Sequence, residues 1–327
     1  MIKPNSDGQS PHQPVLYHEI ISALRPASPG YYVDATLGAG GHAWGILDAS
    51  APDGRLLGLD LDPHALTLAA ERLSGFAERA VLVHASYTSL SAQLQRLQWP
   101  TVQGILIDLG VSSMQLDTPQ RGFSFQVEGP LDMRFDPSQP LSADDLVNGW
   151  SEHDLADVIW RYGEENQSRR VARAIIQARP LQTTQQLADV VQRALGGRKG
   201  ERTHPATRTF QAVRIAVNQE LSAIEAFLPQ AIQALQPGAR LAVISFHSLE
   251  DRIVKHYFRR ESRDCICPPE RPVCTCGHRA SITEVNRRPI TAGEEEMRSN
   301  SRARSARLRI IEKLPPAPPS GLAQKLQ

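Results

Sequence analysis

Apolar residues recur as short dense runs along the first third of the chain. Tyr31 to Val33, Leu56 to Leu59, Ala80 to Val83 and Gly104 to Ile107 are each bounded by polar or glycine-bearing segments. Runs of this length predict strands covered on both faces. The stretches between them change period. Ala65, Leu66, Leu68, Ala69 and Leu73 share one helical face behind Asp62-Pro63, a capping carboxylate followed by proline at the first helical position. A shorter helix is expected from Glu19 to Leu24, ended by Pro26. This β-α-β-α rhythm predicts a parallel sheet with right-handed crossovers and ligands at the strands' carboxyl ends. It resumes late, with a fifth strand at Leu241 to Ser245 and a last one at Ser305 to Glu312.

Between about Thr118 and Thr209 the rhythm stops and helical spacing takes over, over 142–150, 151–162, 164–178 and 183–195. Ser151-Glu152-His153-Asp154 resembles a capping box with Asp in place of Glu, and Gly163 suits a helix end. Phe210 to Leu235 then reads as one long amphipathic helix closed by Pro237-Gly238. The expected layout is an α/β domain in two parts, 1–117 and 210–313, an inserted helical domain over 118–209, and a proline-rich disordered tail over 314–327. Residues up to about Pro11 read as a loose tail.

Composition narrows the class. At 327 residues, 41% hydrophobic and 22% charged, the chain has the balance of an ordinary globular protein. Its net charge of +1 excludes a polycation, so a nucleic-acid surface has to come from local clustering. Arg161 to Arg214 holds eleven Arg or Lys against four Asp or Glu. Arg169, Arg170, Arg173, Arg179, Arg193, Arg198, Lys199, Arg202 and Arg208 are the candidates for a phosphate backbone. No apolar run approaches the ~20 residues of a membrane span, and Met1 to Pro11 lacks the apolar core of a secretory signal, so a cytoplasmic location without membrane association is expected.

The chemistry gathers at predicted strand ends. Val33-Asp34-Ala35-Thr36-Leu37-Gly38-Ala39-Gly40-Gly41-His42 runs from a strand through a glycine turn into a helix, whose free N–H groups face whatever binds there. Asp60 ends the second strand, where nucleotide-binding α/β folds hold a ribose hydroxyl pair. Two cofactors fit this loop. Gly38-Ala39-Gly40-Gly41-His42-Ala43 satisfies the dinucleotide pattern, which admits NAD. Asp34 opposes a pyrophosphate and suits the ammonium of S-adenosylmethionine. Tyr87, just past the third strand, can flank an adenine or simply pack. Asp108 ends the fourth strand, the natural position for chemistry, and His247 after the fifth is a second candidate there or a residue that only orients a loop. The aromatics of Arg121-Gly122-Phe123-Ser124-Phe125 can wall a pocket or join a core. All four cysteines, Cys265, Cys267, Cys274 and Cys276, fall in two Cys-x-Cys pairs separated by prolines, a spacing that can bring four sulfurs to a structural zinc.

Several blocks together are similar to the bacterial 16S ribosomal RNA cytosine-N4 methyltransferase family. They are His12-Gln13-Pro14-Val15-Leu16, Asp34 to His42, Asp108-Leu109-Gly110-Val111-Ser112-Ser113, Arg121 to Phe125, Gly129-Pro130-Leu131-Asp132-Met133-Arg134, His204 to Gln211 and Ser245 to Arg252. The match runs from about residue 12 to 312, and the cysteine stretch is its one clear departure. The resemblance implies a Rossmann-like class I methyltransferase domain with a helical insert. It implies S-adenosylmethionine as methyl donor, and a cytidine in the decoding region of the small ribosomal subunit as acceptor. Carried over by motif, the cofactor contacts are Gly40, Gly41, His42, Asp60, Tyr87, Asp108 and Gln115. Asp108 is the expected acceptor for an amine hydrogen, with Ser112 or a backbone carbonyl as auxiliary. Three other readings share parts of the pattern. A DNA cytosine-N4 methyltransferase shares the chemistry, but Asp108-Leu109-Gly110 stands where its Pro-Pro-aromatic turn belongs. An NAD-dependent oxidoreductase shares the glycine loop but conflicts with Asp34. A non-enzymatic small-subunit assembly factor shares the basic insert.

Overall fold

The computed structural model describes residues 14–196 and 204–316. The expected N-terminal tail, His12 and Gln13, the basic residues Arg198, Lys199 and Arg202, and most of the proline-rich tail lie outside the described residues. In chain order the elements are α1 (Tyr17–Leu24), β1 (Tyr31–Asp34), α2 (Gly41–Ala49), β2 (Arg55–Asp60), α3 (Pro63–Leu73), β3 (Ala80–His84), α4 (Leu90–Arg96), β4 (Val102–Asp108) and α5 (Ser113–Asp117). Then follow α6 (Glu152–Gly163), α7 (Ser168–Ala178), α8 (Thr184–Leu195), α9 (Thr207–Asn218), α10 (Glu220–Ala234), β5 (Leu235–Ser245), α11 (Ser248–Glu261), β6 (Ile282–Glu284), α12 (Glu294–Ser299) and β7 (Arg307–Lys313).

The described residues divide into two compact units, one drawn from 1–60, 66–109 and 228–327, the other from 61–65 and 110–227. The divisions fall at the end of β2, inside α3, just after β4 and inside α10, whereas the sequence expectation put the insert at 118–209.

The first unit is built on a seven-stranded sheet of order β3-β2-β1-β4-β5-β7-β6. β1 to β5 are parallel neighbours, and β7 lies antiparallel between β5 and β6. This is the Rossmann-like α/β class expected from the sequence; β7 is the last strand expected at Ser305 to Glu312, and the short β6 is the one that the apolar runs did not announce. The four inner residues of β2 are all buried, and so is the inner run of β4. That burial on both faces is why these strands read as apolar runs instead of alternations. α1 packs on β4 and β5, α2 on β1 and β2, and α11 on β5, β6 and β7. The chain leaves β1 toward β2 on one side and returns to β4 on the other, so the switch point lies between Asp34 and Asp108 at the carboxyl edge.

The second unit is helical around its own core, which includes Leu146, Leu155, Ile159, Val171, Ile175, Leu187, Val191 and Phe210. Ser151 caps α6 as expected, accepting from Asp154 N–H at 3.1 Å. Gly163 does a different job from the one its position suggests. The residue in the left-handed region is Glu164, at φ 50°, whereas a Cβ on Gly163 would meet the Arg208 carbonyl oxygen at 2.6 Å. Glycine is required there by the close approach of α6 and α9, not by its own dihedrals. Two expected helices change. The turn over 164–167 delays α7 to Ser168, and Asp145–Gly149 forms only one wide turn. The single long helix expected from Phe210 to Leu235 is two, broken at Gln219, whose φ of 51° ends α9. Apolar periodicity carries across that break, which hides it from a sequence reading. Among the described residues no helix is long and apolar enough to cross a membrane.

Candidate active site

The turn after β1 ties three strand tips of the first unit together. Gly38 and Gly40 take φ values of 52° and 75°, a path that L side chains rarely follow. The turn lets Gly38 N–H donate to Asp60 Oδ2 at 2.7 Å. Thr36 bridges the other way: its N–H donates to Asp34 Oδ1 at 3.3 Å, and its Oγ1 accepts from Asp108 N–H at 2.6 Å. Gly40 then opens α2 with no side-chain cap, leaving the first N–H groups of Gly41 and its neighbours to other acceptors.

Four carboxylates gather around this turn. Asp34 ends β1 and is buried; burial, with the charge of Asp60 adding to it and the Thr36 N–H opposing it, pushes its pKa up to about 7. Asp108 ends β4, and burial of its carboxyl together with the charges of Asp34 and Glu250 raises its pKa well above the usual carboxylate range. Its Oδ1 is buried and has no hydrogen-bond partner among the described residues. Glu250 comes from α11 and is fully buried. Its Oε2 accepts from Phe246 N–H at 2.8 Å and His247 N–H at 3.2 Å, while Oε1 lies 3.1 Å from His247 Nε2. His247 Nδ1 in turn accepts from Glu250 N–H at 3.4 Å, so His247 caps α11 and orients its first turn. Neither Glu250 nor Thr36 was singled out in the sequence, because what brings them to Asp108 is sheet topology.

Asp34 gives a pH prediction. Its folded pKa is raised above the unfolded value, so its contribution to stability is fully present below about pH 4 and is lost as pH rises toward 7. A rise from 3.8 to about 7, at about 1.4 kcal/mol per unit, means that ionising Asp34 opposes folding by a few kcal/mol. Asp34→Asn keeps the acceptor for Thr36 N–H and removes the charge. It is expected to stabilise the ligand-free chain at pH 8 by roughly 2–4 kcal/mol, with little effect at pH 4, as read by urea unfolding at both pH values. Equal shifts at the two would refute the assignment.

The remaining sequence-predicted residues divide. Tyr87 opens a tight turn after β3, where Ser86 Oγ accepts from Thr88 N–H at 3.2 Å, and its ring is half-buried. The His42 ring is buried and stacked at 6.3 Å on Tyr17; its Nε2 donates to the Val15 carbonyl at 3.0 Å. Burial, only partly offset by that bond, lowers its pKa to about 4. The imidazole is therefore neutral and committed, and what His42 offers a ligand is its backbone N–H in the first turn of α2.

Gln115 belongs to the second unit. Its Oε1 accepts from Ser112 N–H at 3.0 Å and its Nε2 donates to Asp62 Oδ2 at 3.1 Å; Ser112 Oγ accepts from Gln115 N–H at 3.2 Å. Asp62 also caps His64 N–H at 3.0 Å and pairs with Arg121, whose other nitrogen donates to the carbonyls of Arg134 and Phe135 at 2.8 and 3.0 Å. Phe123 stacks on Phe135 at 5.6 Å and Phe125 lies 4.7 Å from Phe210, so these aromatics join the core of the unit. On the basic stretch, Arg179 is not available to a backbone phosphate. Its guanidinium donates to the carbonyls of Val147 and Trp150 at 2.7 and 2.6 Å, and burial lowers its pKa. Arg208 leans on the Glu164 carbonyl at 3.3 Å and on Glu165 at 3.7 Å. Arg169, Arg170, Arg173 and Arg193 are exposed, and Trp160 on the neighbouring α6 is 59% exposed.

Residues 9–314 match the MraW methylase family. The chain belongs to that family. Ribosomal RNA small subunit methyltransferase H of Dehalococcoides mccartyi is 54% identical, over 93% of this chain and 87% of that one. The proteins of the same name from Syntrophotalea carbinolica and Thermomicrobium roseum are 50% and 49% identical, over 93% of this chain and 98% and 94% of theirs. An rRNA methylase structure from Streptococcus thermophilus aligns at a TM-score of 0.40 and 10% identity, over 91% of this chain and 94% of that one, too loosely to bear on the fold. The chain is thus a methyltransferase built on a Rossmann-like domain.

Proposed function

We propose that this methyltransferase transfers a methyl group to the exocyclic N4 of a cytidine in the decoding region of 16S rRNA, acting on the small ribosomal subunit in the cytoplasm. The observation that carries the cofactor side is the convergence of Asp34, Asp60, Asp108 and Glu250 at one sheet edge, with Asp108 Oδ1 buried and without a hydrogen-bond partner among the described residues. Carboxylates that raise one another's pKa bind a cation favourably and repel a pyrophosphate. That donor set fits the ammonium and sulfonium of S-adenosylmethionine and disfavours NAD. Gly40, Gly41 and His42 would present backbone N–H groups, Asp60 would take the ribose hydroxyls, and Tyr87 would complete the contacts from the first unit.

When bound, S-adenosylmethionine supplies an electrophilic methyl on a sulfonium. The chain has to supply the rest. The N4 lone pair of cytosine is delocalised into the ring, so the amine is a poor nucleophile until a hydrogen is drawn off it. Asp108 would accept that hydrogen, and its raised proton affinity would make it a better acceptor than an ordinary carboxylate. The target base has to leave its stack to reach this edge.

On the RNA side the support is α7. Arg169, Arg170 and Arg173 share one exposed face, while Val171, Ala172 and Ile175 are buried on the other. Arg173 pairs with Glu152 at 3.3 Å, but both are exposed and the pair is worth little. Replacing the three arginines with Ala is expected to weaken RNA binding and reduce the slope of log affinity against log salt by up to about two, at roughly 0.7 per phosphate contact. An unchanged slope would return this face to solvent. The whole reading is tested by offering labelled methyl donor to small subunits, free 16S rRNA and DNA, then mapping the modified nucleoside. Label on N4 of a small-subunit cytidine supports it; label in DNA alone, or none, overturns it.

A further inference from the structure

The segment between α11 and β6 has no core. From Ser262 to Ser281 there is neither helix nor strand, and no residue is buried. Its base is pinned by Ser281 N–H to the Glu261 carbonyl at 2.9 Å, by Ala280 N–H to Asp264 Oδ1 at 3.2 Å, and by His278 Nε2 to the Arg260 carbonyl at 3.0 Å. Beyond that base, Ile266 and Val273 are exposed, so apolar burial does not fix the path of the chain. A loop of this length in a compact unit needs another constraint.

The four cysteines point to what that constraint is. Cys265, Cys267, Cys274 and Cys276 bring their sulfurs within 4.8 Å of one another. Cys274 Sγ stands 3.6 Å from Cys276 Sγ, and Cys276 Sγ stands 3.9 Å from Cys265 Sγ. Four sulfurs each about 2.3 Å from one tetrahedral ion are about 3.8 Å apart, and these separations lie on either side of that value. Two disulfides would draw sulfurs together pairwise and would not require both pairs to meet at one centre. Backbone donors are also turned onto the sulfurs. Ile266 N–H points at Cys276 Sγ, Cys267 N–H at Cys265 Sγ and Thr275 N–H at Cys267 Sγ, each at 3.4 Å. Donors aimed at sulfur stabilise thiolate, the form that binds metal.

We propose that these four cysteines hold one zinc ion as a structural clasp for the 262–281 segment, separate from the methyl-transfer chemistry. Four soft thiolates in a closed tetrahedral set, with no position left for water, suit zinc in a structural role. On binding, four Cys–SH groups and Zn²⁺ give a tetrathiolate complex and up to four protons, with no change of oxidation state. Binding therefore strengthens as pH rises through the thiol range.

The test uses the full-length protein, purified reduced and without an affinity-metal column. Elemental analysis is expected to give about one zinc per chain, and the Cys265→Ser/Cys267→Ser variant less than about a tenth. Cobalt(II) offered to zinc-stripped protein is expected to give the intense charge-transfer and visible bands of a tetrahedral thiolate site, bleached by one equivalent of zinc. Because the variant can also fail for structural reasons, hydrogen exchange is followed on the parent before and after chelation. Exchange should accelerate over 264–278 and stay unchanged in β1, β2, β4 and β5. Parent protein without zinc that takes up none on addition, iron in place of zinc, or exchange that does not respond to chelation would each overturn the proposal.

Discussion

Asp108→Asn is expected to lower methyl transfer to rRNA by about 10²- to 10⁴-fold, the range for a general base, while changing methyl-donor affinity by less than tenfold. The side chain keeps its size and its carbonyl oxygen, and the backbone N–H still donates to Thr36 Oγ1, so the strand tip stays in place. What the variant would lose, under the proposed mechanism, is the ability to take a proton from N4. Separation of the two effects comes from single-turnover methyl transfer set beside calorimetric binding of the methyl donor. The pH profile gives a second check. As a general base Asp108 would have to be ionised, and burial with the charges of Asp34 and Glu250 raises its pKa, so the acid limb due to Asp108 should lie above the ordinary carboxylate range. In the Asn variant that limb should vanish from the residual rate. Equal losses in turnover and affinity would make Asp108 a cofactor contact and nothing more.

The carboxylates at the strand tips were legible because strands covered on both faces announce themselves as apolar runs, and the residue after such a run is at the sheet edge. Asp34, Asp60 and Asp108 could each be placed that way. Glu250 could not, since its position against Asp108 depends on β5 lying beside β4 and on His247 fixing the first turn of α11. β6 escaped because Ile282–Glu284 is too short for a period to show. The break at Gln219 escaped because a non-glycine residue adopts positive φ there while the apolar face continues into α10. Side-chain commitments are the least legible class. Charge counting treated Arg179 and Arg169 alike, and only the carbonyls of Val147 and Trp150 tell them apart. His42 sits in the loop that matches the family, yet its ring serves Val15. The cysteines were legible by spacing alone, because Cys-x-Cys pairs across a proline turn are local geometry.

The largest effect on stability is expected at Asp251, next to Glu250 on α11. Its carboxylate accepts from Arg309 Nε at 2.6 Å and Nη2 at 3.2 Å and from Arg307 Nη1 at 3.2 Å. Asp251 and Arg309 are both buried, so the pair joins α11 to β7 without competition from water. Burial alone would push the Asp251 pKa up; hydrogen bonds and charge from Arg309 and Arg307 overcome it and hold the carboxyl below its ordinary range. Asp251→Ala leaves the Arg309 guanidinium buried without its counter-charge, and the expected loss is about 3–5 kcal/mol in urea unfolding. Asp251→Leu combined with Arg309→Met is expected to recover much of that, because the cost lies in the orphaned charge more than in the lost attraction. The pH dependence runs opposite to that of Asp34. A depressed folded pKa gives stability that is present above the unfolded value near 4 and is lost as pH falls through the lower folded value. The parent should therefore weaken on acidification below about pH 4, and Asp251→Ala should lack that component. An unfolding midpoint for Asp251→Ala within experimental error of the parent at pH 7 would show that α11 is held by packing alone.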